Sequence, residues 1–208
     1  MHRHSVASVA TVAPALRADI PGTAARILDA AFEAVATFGL SRLTVDDVAR
    51  LAGVSRQTVY RYYDSKDALV LALVAREEET LMAEVRAAHQ QSRTVREAIR
   101  RSVLHCLRAT REHPLLHRLL ASEPEVLLPY LTTRAGGLVH RARSTLEALV
   151  LERWDVRPQV VRRVADLAAR SIISYTLTPT DDPPERVAEE IAEIMSSAMR
   201  RRRKEDPR

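Results

Sequence analysis

The 208-residue sequence is poor in cysteine, glycine and aromatic residues. Its single cysteine, Cys106, excludes a disulfide within the chain and is typical of a reducing compartment. Only five residues are glycine and 4% are aromatic, whereas 46% are hydrophobic. Alanine, leucine and valine supply most of that hydrophobic share. This composition favours helices over sheets.

Long apolar segments are also missing. No apolar run reaches the roughly 18 residues that a transmembrane helix needs. Residues 6–16 are weakly apolar, but Pro14 interrupts them, so we do not expect a signal peptide. We predict a cytoplasmic protein in which residues 1–20 form a disordered arm.

Catalytic motifs are the third absence. The sequence has no glycine-rich phosphate loop, no nucleophile elbow and no complete set of metal ligands. Its carboxylates are spread along helix surfaces instead of being paired. We therefore predict that the protein is not an enzyme and needs no cofactor.

The most informative stretch is residues 44–66, which has the pattern of two short helices joined by a turn. Thr44 is a candidate N-cap, and apolar residues follow it at spacings of three and four. Gly53 suits the left-handed residue of a turn, and Ser55 can cap a second helix. That second helix has one obvious core residue, Val59, among hydrogen-bonding side chains. Such a helix suits the major groove of DNA, as in a helix-turn-helix.

The region around this stretch resembles the N-terminal domain of TetR-type transcriptional regulators. The resemblance covers about a fifth of the chain and is specific, because many positions agree in order and spacing. One departure is Tyr63, where the family usually has phenylalanine. The matching residues are Ile27-Leu28-Asp29-Ala30-Ala31-Phe32, Gly39, Thr44-Val45-Asp46-Asp47-Val48-Ala49, Ala52-Gly53-Val54-Ser55, Thr58-Val59-Tyr60-Arg61-Tyr62-Tyr63 and Ser65-Lys66-Asp67-Ala68-Leu69.

The resemblance implies an all-α fold with about nine helices. A three-helix helix-turn-helix domain over residues 21–65 would precede a helical bundle over residues 66–203, which binds a ligand and dimerises. Residues 204–208 would form a disordered tail. The function implied is a ligand-responsive repressor that binds a palindromic operator as a homodimer.

The candidate DNA-binding residues lie on or beside the second helix. Base edges suit arginine, glutamine and an aromatic ring, whereas phosphates suit hydroxyls and lysine. For each residue the alternative is a solvated surface position. The candidates for base edges are Arg56, Gln57 and Tyr62; those for phosphates are Thr44, Ser55, Thr58, Tyr60 and Lys66; Arg61 suits either role.

The last two long helices are apolar on more than one side, so both sides need burial. In TetR-like proteins the corresponding pair forms a four-helix dimer interface, which we expect here; the alternative is a core within one chain. The predicted interface residues are Val164, Ala168, Ile172, Tyr175, Ile191, Met195 and Ala198.

The resemblance also implies a pocket for a small effector inside the bundle. Few charges lie near its candidate lining, so we expect an apolar or amphipathic effector, although plain core packing is the alternative for each residue. The candidates are Leu104, Leu107, Leu116, Leu120, Leu127, Leu128, Tyr130, Leu131, Leu138 and Trp154.

Other interpretations remain open at this point. His113 and His117 are four residues apart, and a metal site would need His105, Cys106 or His140 nearby; because nothing completes the set, we predict no metal. The arm could reach a minor groove of DNA, and the basic residues 200–204 could attract DNA without sequence preference; the other interpretation of both is a solvated tail. A third possible class of protein is a scaffold that uses the helix-turn-helix only for contacts with other proteins.

Overall fold

The computed structural model describes residues 22–200. The predicted arm, residues 1–20, and the predicted tail, residues 204–208, lie outside this range. Within it the secondary structure is helical, without a strand, which confirms the all-α fold; ten helices stand where about nine were predicted. They are α1 (Thr23–Phe38), α2 (Val45–Ala52), α3 (Arg56–Tyr62), α4 (Lys66–Gln90), α5 (Val95–Glu112), α6 (Pro114–Ser122), α7 (Pro124–Leu131), α8 (Gly136–Arg153), α9 (Pro158–Leu177) and α10 (Pro184–Arg200).

Side-chain caps fix the starts of four consecutive helices. The hydroxyls of Thr44, Ser55, Ser65 and Thr94 each accept from the backbone N–H three residues later, at 3.0–3.1 Å. Each cap satisfies an amide that the helix itself leaves unpaired. The boundaries of α2, α3, α4 and α5 are therefore set by local sequence.

The N-terminal domain, residues 22–65, contains α1 to α3. Ile27, Val48 and Val59 are completely buried between these helices. The same core continues through Leu69 of α4 to Leu119 of α6, together with part of α7. The N-terminal domain consequently shares its core with the helices behind it.

The C-terminal domain, residues 66–200, has α5 at its centre. Helix α10 packs along α5, α8 packs along α9, and α4 packs along α5. Leu107 of α5 meets Val164 of α9 and Ile191 of α10 in a second core. No helix in residues 22–200 combines the length and the apolar character needed to cross a lipid bilayer.

Candidate functional site

Helix α3 presents polar side chains outward, and Val59 is its one fully buried residue. Gly53 adopts a left-handed conformation, with φ 64°, and directs the chain from α2 into α3. Val59 has no exposed surface, whereas Arg56, Gln57 and Arg61 are exposed. The arrangement is a helix-turn-helix in which α3 is free to lie in a DNA groove.

Arg56 is held by two neighbours before any DNA arrives. Its guanidinium donates to Asp46 at 3.0 Å and to the hydroxyl of Tyr60 at 3.3 Å. It also lies 5.4 Å from the centre of the Tyr60 ring. The Tyr60 hydrogen bond and the Asp46 charge raise the pKa of Arg56, so the side chain stays cationic. All three groups are exposed, and Arg56 can exchange them for guanine or phosphate.

Several predicted DNA contacts already have partners. The Thr44 hydroxyl donates to Asp47 at 2.5 Å, and Lys66 donates to the carbonyl of Ser41 at 3.0 Å. The hydroxyls of Ser55 and Thr58 share a hydrogen bond of 2.9 Å. These groups position the backbone of α2, α3 and α4.

Tyr62, a predicted base-edge residue, is the least exposed of the three candidates for that role. Its side chain is half-buried and packs against the core of the N-terminal domain. The guanidinium of Arg61 lies 5.5 Å from the centre of its ring. Tyr62 therefore contacts both the core and Arg61.

A cavity of about 300 Å³ lies behind the N-terminal domain. Helices α4, α5, α8 and α9 supply most of its wall, which is almost entirely apolar. Phe32, Val35 and Leu40 of the N-terminal domain also reach it. Its volume is at the lower end of the range for small-molecule sites.

The predicted pocket residues fall into two groups. Leu116, Leu127, Leu131 and Leu138 line the cavity. The other six lie elsewhere, because they face other neighbours. Leu104 and Leu107 pack between α5 and α10, and Leu120 packs against the first core. Tyr130 bonds to Asp67, Trp154 meets the His89 ring in a T-shaped contact, and Leu128 is half-buried away from the cavity wall.

Two acidic side chains line the wall: Glu78, and Glu77, whose carboxylate lies 3.9 Å from His113. Arg141 of α8 donates to Oε2 of Glu78 on α4 from Nε at 2.7 Å and lies 2.6 Å from it through Nη2. The Glu78 side chain is 6% exposed and that of Arg141 is 47% exposed. Burial raises the pKa of Glu78, and the Arg141 interaction opposes the rise.

Helices α6 and α7 join the cavity to the N-terminal domain through polar contacts as well. Glu123 accepts from the backbone N–H and the hydroxyl of Ser41 at 2.7 and 2.8 Å. These bonds, the backbone one first, lower the pKa of Glu123. Arg118 donates to the carbonyl of Val35 at 3.0 Å. Gly39 admits the Glu123 carboxylate, because a Cβ there would lie 2.0 Å from Oε1.

The two parts of the chain match two models of one family. Residues 27–73 match the model described as bacterial regulatory proteins, tetR family, and residues 94–197 match the bacterial tetracyclin repressor, C-terminal domain. The chain belongs to the TetR family. It is a DNA-binding transcriptional regulator of this ligand-responsive family and not an enzyme, as predicted.

Individual relatives agree with the family over most of the chain. The HTH-type transcriptional regulator AlkX of Mycobacterium tuberculosis (strain ATCC 25618 / H37Rv) is 28% identical over 200 residues, which cover 90% of this chain and 92% of AlkX. The solved TetR family repressor AlkX of Dietzia sp. strain DQ12-45-1b, implicated in biodegradation of n-alkanes, is 26% identical. That match has a TM-score of 0.72 and covers 85% of this chain and 94% of the other. FadR of Bacillus subtilis, solved with stearoyl-CoA, shares the fold at 15% identity and a TM-score of 0.53, covering 84% of this chain and 98% of FadR.

Most of the residues predicted for the dimer interface lie in the core of the subunit itself. Val164, Ala168, Ile191 and Met195 are buried inside the subunit, and Ile172 and Tyr175 pack against the same core. Ala198 alone of the predicted set is exposed. A helix that is apolar on two sides does not reveal from its sequence which side faces its own subunit.

The predicted histidines and Cys106 serve local roles. His113 caps α6 through Nδ1, which accepts from Leu116 at 3.2 Å, and His117 bonds to the Arg111 carbonyl. His105 contacts Glu84 at 2.6 Å. In residues 22–200 no three His, Cys, Asp or Glu side chains are grouped as metal ligands would be. Burial raises the pKa of Cys106 to about 12, which makes its thiol unreactive.

Proposed function

We propose that this chain is a repressor that binds a palindromic operator as a homodimer and releases it when a small apolar or amphipathic effector enters the cavity. It would act in the cytoplasm, where its operator lies. The shared wall of the cavity carries this proposal. Phe32 and Val35 of α1 and Leu116 of α6 line one apolar space.

A ligand in that space would act on the DNA-binding domain directly. It would press on α1 and α6, which are also joined by the hydrogen bond from Arg118 to the Val35 carbonyl. Just beyond these helices, Glu123 accepts from Ser41. If the ligand favours a different packing of these helices, it shifts the population away from the DNA-binding arrangement. The Dietzia relative, a repressor implicated in biodegradation of n-alkanes, supports an apolar effector and a repressing role.

For DNA contact we propose that Arg56 and Gln57 meet base edges. Tyr60 and Arg61, both exposed, would contact phosphates or the groove wall. Thr44, Ser55, Thr58 and Lys66 would act near phosphates through the helix starts that they hold. Tyr62 would orient Arg61.

Selection of bound DNA from a random pool tests the proposal. We expect a palindrome with half-sites about one helical turn apart, and a gel shift that apolar compounds reverse. A protein that selects no sequence at moderate ionic strength is not an operator-binding repressor, and the scaffold alternative would then be favoured.

The proposed dimer uses the outer faces of α9 and α10. Leu167 of α9 is 52% exposed and Ile194 of α10 is 66% exposed, the two highest values among the large apolar side chains of residues 22–200. On the outer face of α9, Arg163 is exposed; on that of α10, Glu190 is exposed and pairs with Arg186 of the same helix at 3.1 Å. A second copy related by two-fold symmetry would bring α9 to α10, burying the apolar pair and joining opposite charges.

Replacing both exposed residues tests this interface. We expect Leu167→Glu combined with Ile194→Glu to convert the protein to a monomer in light scattering and to abolish the operator shift. Leu71→Glu, at a 40% exposed position on α4, is the matched control and should remain dimeric. A double variant that is still a dimer would place the interface elsewhere.

A further inference from the structure

Two buried polar atoms in the cavity wall have no hydrogen-bond partner among residues 22–200: Oε1 of Glu78 and Oγ of Ser102. Glu78 is 8% exposed and Ser102 is 6% exposed, and both line the cavity. A buried polar group without a partner costs about 1–3 kcal/mol, so native proteins seldom keep one without a reason. A donor group on a ligand in the cavity would supply the missing partner of the Glu78 oxygen.

The geometry of the Glu78 carboxylate leaves one oxygen for that ligand. Both Arg141 nitrogens approach the same oxygen, Oε2. A guanidinium can engage both oxygens of a carboxylate at once, but here Oε1 is left over. The backbone N–H of Ala142 lies near the Glu78 carboxylate, but it belongs to the interior of α8, where backbone N–H groups donate to the carbonyl four residues earlier.

Ser102 lies at a different level of the cavity. Contacts between Glu84 and His105 and between Glu77 and His113 show that α4 and α5 run antiparallel. The residue opposite Glu78 is therefore near Glu112, and Ser102 lies about 15 Å along α5 from that level, at 1.5 Å per residue. The two polar atoms cannot serve the same small polar group, and the wall between them is apolar.

The chemistry of Oε1 restricts the group that can meet it. A carboxylate oxygen only accepts, so the ligand must donate. A fatty acid would bring a second negative charge to Glu78, and an alkane would leave Oε1 unpaired. A protonated amine would add a positive charge where Arg141 already balances Glu78, at a desolvation cost. A neutral hydroxyl donates without adding charge.

Building on the proposed effector function, we propose that the cavity binds an aliphatic alcohol whose hydroxyl donates to Oε1 of Glu78 while its chain follows the apolar wall towards Ser102. Glu78 is then the residue that selects for the polar group of the effector. The cavity wall accounts for the apolar remainder.

Calorimetry on the full-length protein with decan-1-ol, decanoic acid and n-decane tests the proposal. We expect the alcohol to bind at least about tenfold more tightly than either other compound, which corresponds to one hydrogen bond to a charged group. Equal or tighter binding of the acid or the alkane would overturn the proposal and leave an effector function intact. This order of affinities needs no variant, so it stands even if a substitution at Glu78 impairs folding.

The Glu78→Gln variant tests whether Glu78 causes the preference for the alcohol. Glutamine keeps the shape and adds an N–H donor, so the alcohol-to-acid affinity ratio should fall by about tenfold. Glu79→Gln makes the same change at an exposed position of α4 that does not line the cavity, and it should leave the ratio unchanged. A ratio that falls in Glu79→Gln and not in Glu78→Gln would overturn the assignment.

Operator release in the same samples separates this inference from the proposed function. Release by decan-1-ol supports both. If none of the three compounds binds, the inference fails. If decan-1-ol binds in the expected order and no operator is released, the ligand class stands while the effector function fails.

Discussion

Two arginine–carboxylate pairs stand in opposite surroundings in this protein. Arg56 and Asp46 lie 3.0 Å apart on the N-terminal domain, with 59% and 65% of their side chains exposed. Arg141 and Glu78 lie 2.6 Å apart at the cavity wall, where only 6% of the Glu78 side chain is exposed. Because water can replace either partner of the first pair, that pair suits an arginine that must change partners. The second pair holds a carboxylate that water cannot easily reach.

Separating the buried pair should have the largest effect on stability. We expect Arg141→Ala to lower the free energy of unfolding by about 3 kcal/mol, because it leaves a buried carboxylate without its counter-charge. Asp46→Ala, which separates the exposed pair, should cost less than about 1 kcal/mol. Urea unfolding of the two variants measures both values. Equal losses would show that the two pairs do not differ in the way their burial indicates.

The pH dependence of Arg141→Ala sharpens the same comparison. Burial raises the pKa of Glu78, so this carboxyl holds its proton more tightly in the folded protein than in the unfolded chain. Such a group favours folding at low pH and opposes it as the pH rises through the folded value. Without Arg141, the ionised form of Glu78 destabilises the folded protein more. The loss of stability should therefore be greatest near neutral pH and shrink as the pH falls towards about 5. A loss independent of pH would argue against an ionised Glu78.

On the exposed side, Arg56→Ala should act on DNA binding more than on folding. We expect operator affinity to fall by about 1–3 kcal/mol, the value of a good base contact, while weak salt-sensitive binding remains. The matched control is Arg50→Ala on α2, which removes an exposed ion pair with Asp47 at 3.3 Å and should change affinity less. Gel shifts at one salt concentration measure both. An unchanged affinity would exclude Arg56 from the base contacts.

The smallest effect is expected where the two regions meet. Glu123→Ala removes the acceptor of the Ser41 N–H, at 2.7 Å, and should lower the free energy of unfolding by about 1 kcal/mol. The Ser41 amide should then exchange its hydrogen faster. Glu125→Ala, at an exposed position of α7, is the control. Unchanged exchange at Ser41 would mean that Glu123 does not hold α7 to the N-terminal domain.

Contacts within a few residues explain why the N-terminal domain was predictable. Thr44 and Ser55 cap helices through amides three residues away, and Gly53 supplies the left-handed turn between them. The outward polar face of α3 follows because Val59 is its one fully buried residue. The half-burial of Tyr62 was not evident from its position in the helix, because it depends on how the residue packs against the first core.

The cavity and the outer face of the bundle could not be predicted in the same way. The cavity wall comes from helices as distant in sequence as α1 and α10. The sequence around Val161 or Met82 therefore does not show that these residues line a cavity. Helix α9 is apolar on several sides, and only its packing shows that Val164 faces inward and Leu167 outward.

Helix ends, turns and the polar recognition helix were thus present in the order of the amino acids, because hydrogen bonds over three or four residues specify them. The unpaired oxygen of Glu78 was not, because it exists only where Arg141, sixty-three residues away, reaches the other oxygen and the surrounding helices exclude water. Burial depends on all the helices at once, and it became visible only when they were assembled.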